Sequence, residues 1–338
     1  MTYAVHHVLT LLAALLGARV MLRSPRAWRA PRTSLLIWQA IALTLVSSLV
    51  GVLLAAGLAP YRLGVLPALA RLCADLARGG PPAAITAGHL ALVGGGLAVA
   101  GWLLAALVRT VVSVAALRRR QRSLLGLIAV PHPSLAGALV VDHPVVAAYC
   151  LPGRRPAIVV STGSVGLLSE REMDAVLAHE RAHARERHDL MILPFSVLHR
   201  ALPAGRLTRA MLDAVALLVE MRADDRAARE HPRATLASAL RRFHACDRPV
   251  VAPPGALGGG GPHLRLRIDR LTEDRLTEDQ LTEDQEPITT RHRVTGTAAA
   301  PAAARVLPSP APAVLTALAV VTAMTVVSTP LSLFLLPL

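Results

Sequence analysis

The stretch His179-Glu180-Arg181-Ala182-His183 places two histidines four residues apart with a glutamate between them. In an α-helix, side chains at this spacing project from the same face, so both imidazoles can bind one metal ion. The glutamate points to the side, where its carboxylate can hold a metal-bound water rather than the metal. The pattern therefore predicts zinc-assisted hydrolysis, with His179 and His183 as metal ligands and Glu180 as the catalytic base.

A catalytic zinc site needs a third protein ligand and an open position for water. The nearby solution is a third histidine in the extended HExxHxxGxxH pattern. It fails here because Glu186 stands at the glycine position and Asp189 at the position of the third histidine. His188 falls one residue short, and we expect it to lie behind a ligand, at the surface or at the end of the helix. The third ligand must come from farther along the chain.

Glu220 and Asp224 are the distant candidates for metal binding. Glu220 ends the apolar run of a second helical segment, and Asp224 follows four residues later on the same face. A carboxylate at the edge of a buried face needs a charged partner, which a zinc ion supplies. Asp224 would then orient a histidine ligand through its second ring nitrogen. The alternative is a solvated helix end, in which Glu220, Arg222, Asp224 and Asp225 form local ion pairs.

The sequence also predicts the elements that must position these residues. A capping box at 169–172 begins the helix that carries the histidines, and apolar residues at helical spacing predict a second helix over 212–230. Upstream, the β-branched runs 138–142 and 157–161 predict two strands joined by a turn-rich connection. The apolar run 190–202 is too short to cross a bilayer and predicts a buried or membrane-surface helix.

The composition is typical of a protein with membrane-spanning helices. Hydrophobic residues make up 53% of the 338 residues and aromatic residues only 3%. Long apolar runs, near the roughly 20 residues that cross a bilayer, occupy residues 4–22, 35–58, 83–107 and 313–336. The net charge of +14 comes from arginine alone, and the arginines gather beside these runs rather than in a nucleic-acid reader motif. We expect four transmembrane helices in a lipid bilayer and no nucleic acid partner.

Arginine-rich loops also predict the orientation of these helices, because such loops face the cytoplasm. The short loop after the first run carries arginines at positions 23, 26, 29 and 32, and the third run is followed by arginines at 118–120 and 122. The region between the third and fourth runs then faces the cytoplasm. We therefore expect a multi-pass protein of the bacterial plasma membrane with its active site on the cytoplasmic side.

This pattern divides the chain into four parts: a membrane domain (1–117), a cytoplasmic metallopeptidase domain (118–250), a Pro/Gly linker (251–312) and a C-terminal transmembrane helix (313–338). Within the linker, a pentapeptide of Leu-Thr-Glu-Asp followed by Arg or Gln occurs three times, beginning at Leu271, Leu276 and Leu281. A period of five matches neither a helix nor a strand, so it cannot build one continuous apolar face. We expect a tandem expansion in a largely flexible loop, with a docking or regulatory element as the alternative.

The order of these motifs resembles the BlaR/MecR-type integral-membrane zinc metallopeptidases and the related HtpX and Ste-type membrane proteases. The resemblance rests on the HExxH helix, on the segment Glu220-Met-Arg-Ala-Asp224-Asp225 and on the lead-in at 140–153. It covers about residues 85–235, and the flanking spans in arrangement only.

The resemblance implies a mainly α membrane protein with an α+β zincin-like (gluzincin) domain on the cytoplasmic side. It assigns Glu180 as the catalytic base and Asp224 as the residue that orients a histidine ligand, with Zn²⁺ bound by His179, His183 and Glu220. The antibiotic-sensing members carry a penicillin-binding domain outside the membrane after the last span. This sequence ends at Leu338, so we expect no direct β-lactam sensing.

Together these features predict a membrane-embedded zinc endopeptidase that acts in regulatory proteolysis or signal transduction. Its substrate would be a protein or peptide, such as a transcriptional repressor or another membrane protein. Zinc lowers the pKa of its water towards about 7, and Glu180 takes the proton and passes it to the leaving amine. The alternative is a catalytically inactive membrane scaffold or signalling subunit that keeps a vestigial site.

Overall fold

The computed structural model describes residues 2–132, 135, 137–202, 205–246 and 263–283. This part of the chain is mostly helical and contains one small mixed β-sheet. The predicted fourth span, 313–336, lies outside the described residues.

The N-terminal region forms four helices: α1 (Thr2–Arg23), α2 (Pro31–Gly57), α3 (Val65–Ala77) and α4 (Ala87–Ile128). By length and composition, α1, α2 and α4 could each cross a membrane. The third predicted span lies in α4. The span is predicted to end near residue 107, but α4 is 42 residues long and ends at Ile128. At 1.5 Å per residue it is about 63 Å long, twice the thickness of a bilayer's hydrocarbon core. Its second half therefore leads directly into the domain that holds the HExxH motif.

The small sheet consists of β1 (Ala129–Pro131), β2 (Ala138–Val141), β3 (Ala148–Leu151) and β4 (Ala157–Ser161), in the order β1-β2-β4-β3. β2 and β4 are the two predicted strands, and they pair in parallel. They are not joined directly by a turn, because β3 lies between them in sequence and pairs antiparallel with β4. The predicted turn-rich segment connects β3 to β4. β3 is an edge strand of this sheet.

The C-terminal half adds α5 (Thr162–Leu167), α6 (Glu170–Arg185), α7 (His188–Ala201), α8 (Arg206–Ala227) and α9 (Arg233–Ala245). The predicted capping box of α6 is present, since Ser169 N–H donates to the Glu172 carboxylate at 2.9 Å. Met173 and Val176 of α6 pack on the sheet. On its other side, Ala175 and Ala178 pack against α9.

Helices α7 and α8 attach this domain to the N-terminal helices through one apolar core. Trp38 of α2 meets Phe195 of α7 edge to face, with ring centroids 6.1 Å apart, and both rings are almost fully buried. Leu218 of α8 belongs to the same cluster. The predicted short apolar helix is therefore α7, which is buried between α2, α4 and α8.

A tenth helix, α10 (Leu264–Glu283), occupies part of the segment expected to be a flexible linker. Leu264, Ile268 and Leu271 recur at helical spacing and pack against Leu236 and Leu240 of α9. Leu271, which opens the first pentapeptide repeat, is 1% exposed. Burial of this apolar stripe gives the helix its stability, and the stripe requires only the first of the three repeats.

Candidate metal centre

The three predicted ligands meet where α6 packs against α8. His179 and His183 lie one turn apart on α6, with their Nε2 atoms 3.1 Å apart. Glu220 of α8 places its two carboxylate oxygens 3.5 Å from His179 Nε2 and 3.4 Å from His183 Nε2. The three side chains offer one ligand atom each to a common point.

The spacing of these atoms fits zinc. Bonds of about 2.0–2.2 Å at tetrahedral angles place ligand atoms about 3.3–3.6 Å from one another. The two Nε2 atoms are 3.1 Å apart, and they lie 3.5 Å and 3.4 Å from Oε2 and Oε1 of Glu220, respectively, close to that range. Two imidazole nitrogens and a carboxylate also form the donor set that zinc takes in two-histidine, one-glutamate hydrolase sites. The donor set and its geometry therefore fit a zinc ion.

Asp224 lies behind His179, and Arg267 lies beside the ligands, with its Nη2 3.5 Å from His179 Nε2. Asp224 Oδ1 lies 2.9 Å from His179 Nδ1, the arrangement expected of a residue that orients a metal ligand. Arg267 of α10 donates two hydrogen bonds to Asp224, at 2.7 and 2.8 Å, and one to Glu220 at 2.8 Å. Its guanidinium is 3% exposed. The solvated helix end considered for Glu220 and Asp224 is wrong, since Asp224 is 1% exposed and is held by a helix distant in sequence.

Arg267 is the site residue that sequence reasoning missed, because its segment was interpreted as a linker. A signal for it exists in the sequence. Leu264, Ile268 and Leu271 form an apolar stripe at helical spacing, and Arg267 lies within that stripe. An arginine on the buried face of a helix requires a carboxylate partner.

A second chain of contacts supports His183. His188, the first residue of α7, is fully buried and places its Nδ1 3.0 Å from His183 Nδ1. Glu186 lies 3.4 Å from the other nitrogen of His188 and is bound by Arg222 through two hydrogen bonds of 2.8 Å. His188 thus lies at a helix end and behind a ligand, and the surface alternative is wrong. The chain reaches this position because Arg187 adopts a left-handed conformation (φ 50°) between α6 and α7.

Glu180 has the environment of a buried base. Its side chain is almost fully buried, and the backbone N–H of Cys150 on β3 donates to its carboxylate. Its Oε2 has no hydrogen-bond partner among the described residues. Burial raises the pKa of Glu180 to about 8. A buried carboxylate oxygen without a partner beside three converging ligands fits a group that receives a proton from a water held there.

The charges of the centre also fit a divalent cation. The carboxylates of Glu180, Glu220 and Asp224 are opposed by one buried cation within the described part of the centre, Arg267. Burial alone would lower the pKa of His179, but its contacts with Asp224 and Glu220 raise it to about 9. His179 and Glu180 thus both favour their protonated forms, as expected of a site that lacks two positive charges. A zinc ion would supply them.

Comparison with known proteins identifies one similarity. Residues 114–202 match the family described as Peptidase family M48. The matched segment extends from α4 to α7 and contains His179, Glu180 and His183, whereas Glu220, Asp224 and Arg267 lie beyond it. No curated protein and no solved structure matches the chain. The finer resemblance to BlaR/MecR-type, HtpX and Ste-type proteins stays a prediction. The family match and the converging ligands support a metallopeptidase.

Proposed function

We propose that this chain is a zinc-dependent endopeptidase embedded in the bacterial plasma membrane, where it cleaves a protein substrate on the cytoplasmic side. One observation carries the proposal: the donor atoms of His179, His183 and Glu220 converge at zinc-ligand distances beside the buried carboxylate of Glu180. The M48 match supports the metallopeptidase class. The three long apolar helices support membrane association.

Bound zinc would supply a Lewis acid and a water of lowered pKa. The protein's part is to hold the ligands and to move the proton. Asp224 Oδ1, 2.9 Å from His179 Nδ1, would direct Nε2 towards the metal, while Arg267 fixes Asp224. Glu180 accepts a proton at its unpartnered Oε2 and delivers it to the amine nitrogen of the leaving peptide. The positive charge of a cation nearby favours the carboxylate form of Glu180 that this role requires.

The substrate would bind as an extended peptide along the free edge of β3. Among the described residues, strand β3 pairs with β4 alone, and the Cys150 N–H that reaches Glu180 projects from its other edge. An extended peptide added at that edge would form main-chain hydrogen bonds with β3 and bring one of its carbonyls to the metal centre. Such a mode suits a flexible segment of a protein, for example of a transcriptional repressor or of another membrane protein, and therefore regulatory proteolysis.

The cytoplasmic orientation is supported by the arginines that follow the apolar part of α4. Positions 118–120 and 122 carry arginine, and these positions lie on the helix end that leads into the HExxH domain. Positively charged segments stay on the cytoplasmic side of a bacterial membrane. The metal centre would therefore face the cytoplasm.

The experiment compares cells that carry the wild type, the Glu180→Gln variant and the Glu170→Gln variant. Glu170 is an exposed glutamate in the first turn of the same helix and provides the matched control. Terminal-peptide proteomics should reveal fragments made by the wild type and by the control but not by Glu180→Gln. Zinc analysis of the purified proteins should give equal metal content in all three. Identical fragments in all three strains would favour the inactive scaffold instead.

A further inference from the structure

A continuous seam between α4 and α7 holds two neighbouring cavities. The two helices run in opposite directions along it: the lining residues extend from Ala100 to Arg122 on α4 and from Leu198 back to Asp189 on α7. Leu193 lines both cavities, so one adjoins the other. The seam lies outside the metal centre, and none of the proposed ligands lines it.

The first cavity is apolar. It has a volume of about 380 Å³ and lies among α2, α4 and α7, next to the part of α4 that is apolar enough to cross a membrane. Leu104 and Leu107 of α4 face Leu193 and Val197 of α7 across it. Each of its described lining residues is aliphatic or proline, a surface suited to a hydrocarbon chain.

The second cavity is amphipathic and strongly basic. It has a volume of about 550 Å³ and is apolar where it adjoins the first, at Val111 and Val114. Farther along α4 its character changes, and it is lined by four arginines and one carboxylate, which are Arg118, Arg119, Arg122, Arg187 and Asp189. This distribution leaves three positive charges in excess on the lining.

The internal contacts of the basic cavity do not neutralise that excess. Asp189 is bound by Arg118 at 3.0 Å and by Arg187 at 3.4 Å. Arg122 donates to the backbone carbonyls of Pro152 and Arg155, which carry no net charge. Among the described residues, Arg119 and Arg122 pair with no carboxylate, so an anion can bind them while Arg118 keeps its ion pair with Asp189.

The spacing of the two cavities matches one leaflet of a bilayer. Leu104 and Arg119 are fifteen positions apart on one helix, which corresponds to about 22 Å. One phospholipid spans half of a bilayer, so its length from acyl end to headgroup is also about 20–22 Å. A phospholipid chain in the apolar cavity would thus bring its phosphate to the arginines. Basic pockets between membrane helices on the cytoplasmic side are established sites for anionic headgroups.

We propose that the α4–α7 seam binds an anionic phospholipid, with an acyl chain in the apolar cavity and the phosphate among Arg119, Arg122 and Arg187. This site rests on the membrane location given under the proposed function. It is independent of the proposed protease activity.

The test uses the purified full-length chain in detergent and measures its thermal unfolding midpoint with phosphatidylglycerol, phosphatidylcholine or inorganic phosphate. We expect phosphatidylglycerol to raise the midpoint by several degrees more than phosphatidylcholine, and inorganic phosphate at equal concentration to have no such effect. The double variant Arg119→Gln/Arg187→Gln should lose most of the difference between the two lipids. The control Arg229→Gln/Arg241→Gln, which removes two exposed arginines that do not line the seam, should keep it.

A second variant, Arg119→Glu, covers the case in which the double variant folds poorly. Arg119 is exposed, and reversal of its charge should weaken the response to phosphatidylglycerol at least as strongly. Equal stabilisation by both lipids, or an unchanged response in the seam variants, would overturn the site. Equal stabilisation by inorganic phosphate would assign it to a soluble anion and also overturn the lipid. A liposome flotation assay separates these results from failure of the membrane location, since a chain that does not float would refute both proposals.

Discussion

The metal centre and the α4–α7 seam use charged residues in opposite ways. In the metal centre, three carboxylates surround one arginine and two histidines; the Glu220 side chain is 19% exposed and the others are almost completely buried. Along the seam, four arginines share a single carboxylate and line an open cavity. The first region is short of positive charge and the second has an excess of it. Each region therefore has an unbalanced charge that a bound ligand would neutralise: a divalent cation in the metal centre and an anion in the seam.

Among the variants considered, removal of a metal ligand should have the largest effect, and it should affect the metal centre but not the seam. His183→Ala should abolish both zinc binding and cleavage, because a zinc site with two remaining ligands retains little affinity. The loss of activity should exceed about a thousandfold, since the water nucleophile depends on the metal. His231→Ala provides the control for metal binding, as His231 lies between α8 and α9 and is not one of the three converging ligands. Metal analysis and a cleavage assay measure the two effects, and retention of zinc by His183→Ala would contradict the ligand assignment.

Replacement of Arg267 should destabilise the fold by about 3–5 kcal/mol, because it leaves two buried carboxylates without their cation. Arg267→Leu is the variant and Arg265→Gln, exposed on the same helix, is the control. Urea unfolding of the metal-free proteins gives the free energies. Zinc should restore part of the loss in Arg267→Leu, since it neutralises the same carboxylates. Equal stability of the two variants would show that α10 contributes little to the centre.

The two regions should also differ in their response to pH. The pKa values of His179 and Glu180 are raised to about 9 and about 8, so both groups stabilise the metal-free fold most when they are protonated. That stability is complete at low pH and is lost as pH rises through 8 and 9. Zinc binding requires deprotonated ligands and should strengthen over the same range. Thermal unfolding at pH 6 to 9.5 should therefore show falling midpoints with a chelator and a growing stabilisation by zinc.

A flat pH profile in the chelated protein would contradict the charge deficit. The response to phosphatidylglycerol should change little over this range, because arginine stays protonated throughout. This contrast separates the metal centre from the seam in a single series of measurements.

The seam variants should have the smallest effect on catalysis. Arg119→Gln/Arg187→Gln should alter the lipid response by a few degrees while it leaves zinc content at the wild-type level, since neither side chain contacts a proposed ligand. Metal analysis of the same preparations used for the unfolding assay tests this separation. A fall in zinc content comparable to that of His183→Ala would show that the two regions are not independent.

The sequence predicted the metal centre better than its surroundings. Periodicity identified α6 and α8, and a fixed spacing placed His179 and His183 on one face, because these are properties of a single helix. Glu220 could be predicted as a ligand together with the histidines of α6, because a carboxylate on a buried helix face requires a charged partner. The sequence did not predict Arg267 as a site residue, because the pentapeptide repeat led to a linker prediction for a segment whose short apolar stripe ends at Leu271.

Local patterns could not give features that depend on distant contacts. Strand β3 is only four residues long, so an alternation of apolar and polar residues cannot be recognised in it. Its pairing with β4 is a contact between separate segments of the chain. The position of His188 depends on one left-handed residue, Arg187, which reverses the chain between two helices. Beyond residue 107, α4 makes polar contacts that hydropathy does not report: Arg118 binds Asp189 of α7, and Arg122 binds the backbone carbonyl of Pro152.

The central claim is that His179, His183 and Glu220 hold a zinc ion beside Glu180. X-ray absorption at the zinc edge, measured on the purified full-length chain together with its metal content, tests this claim most directly. The account predicts one zinc per chain, bound by two imidazole nitrogens and by oxygen at about 2.0–2.2 Å, and loss of that zinc in Glu220→Ala. A chain that binds no zinc, or a Glu220→Ala variant with an unchanged zinc spectrum, would contradict it.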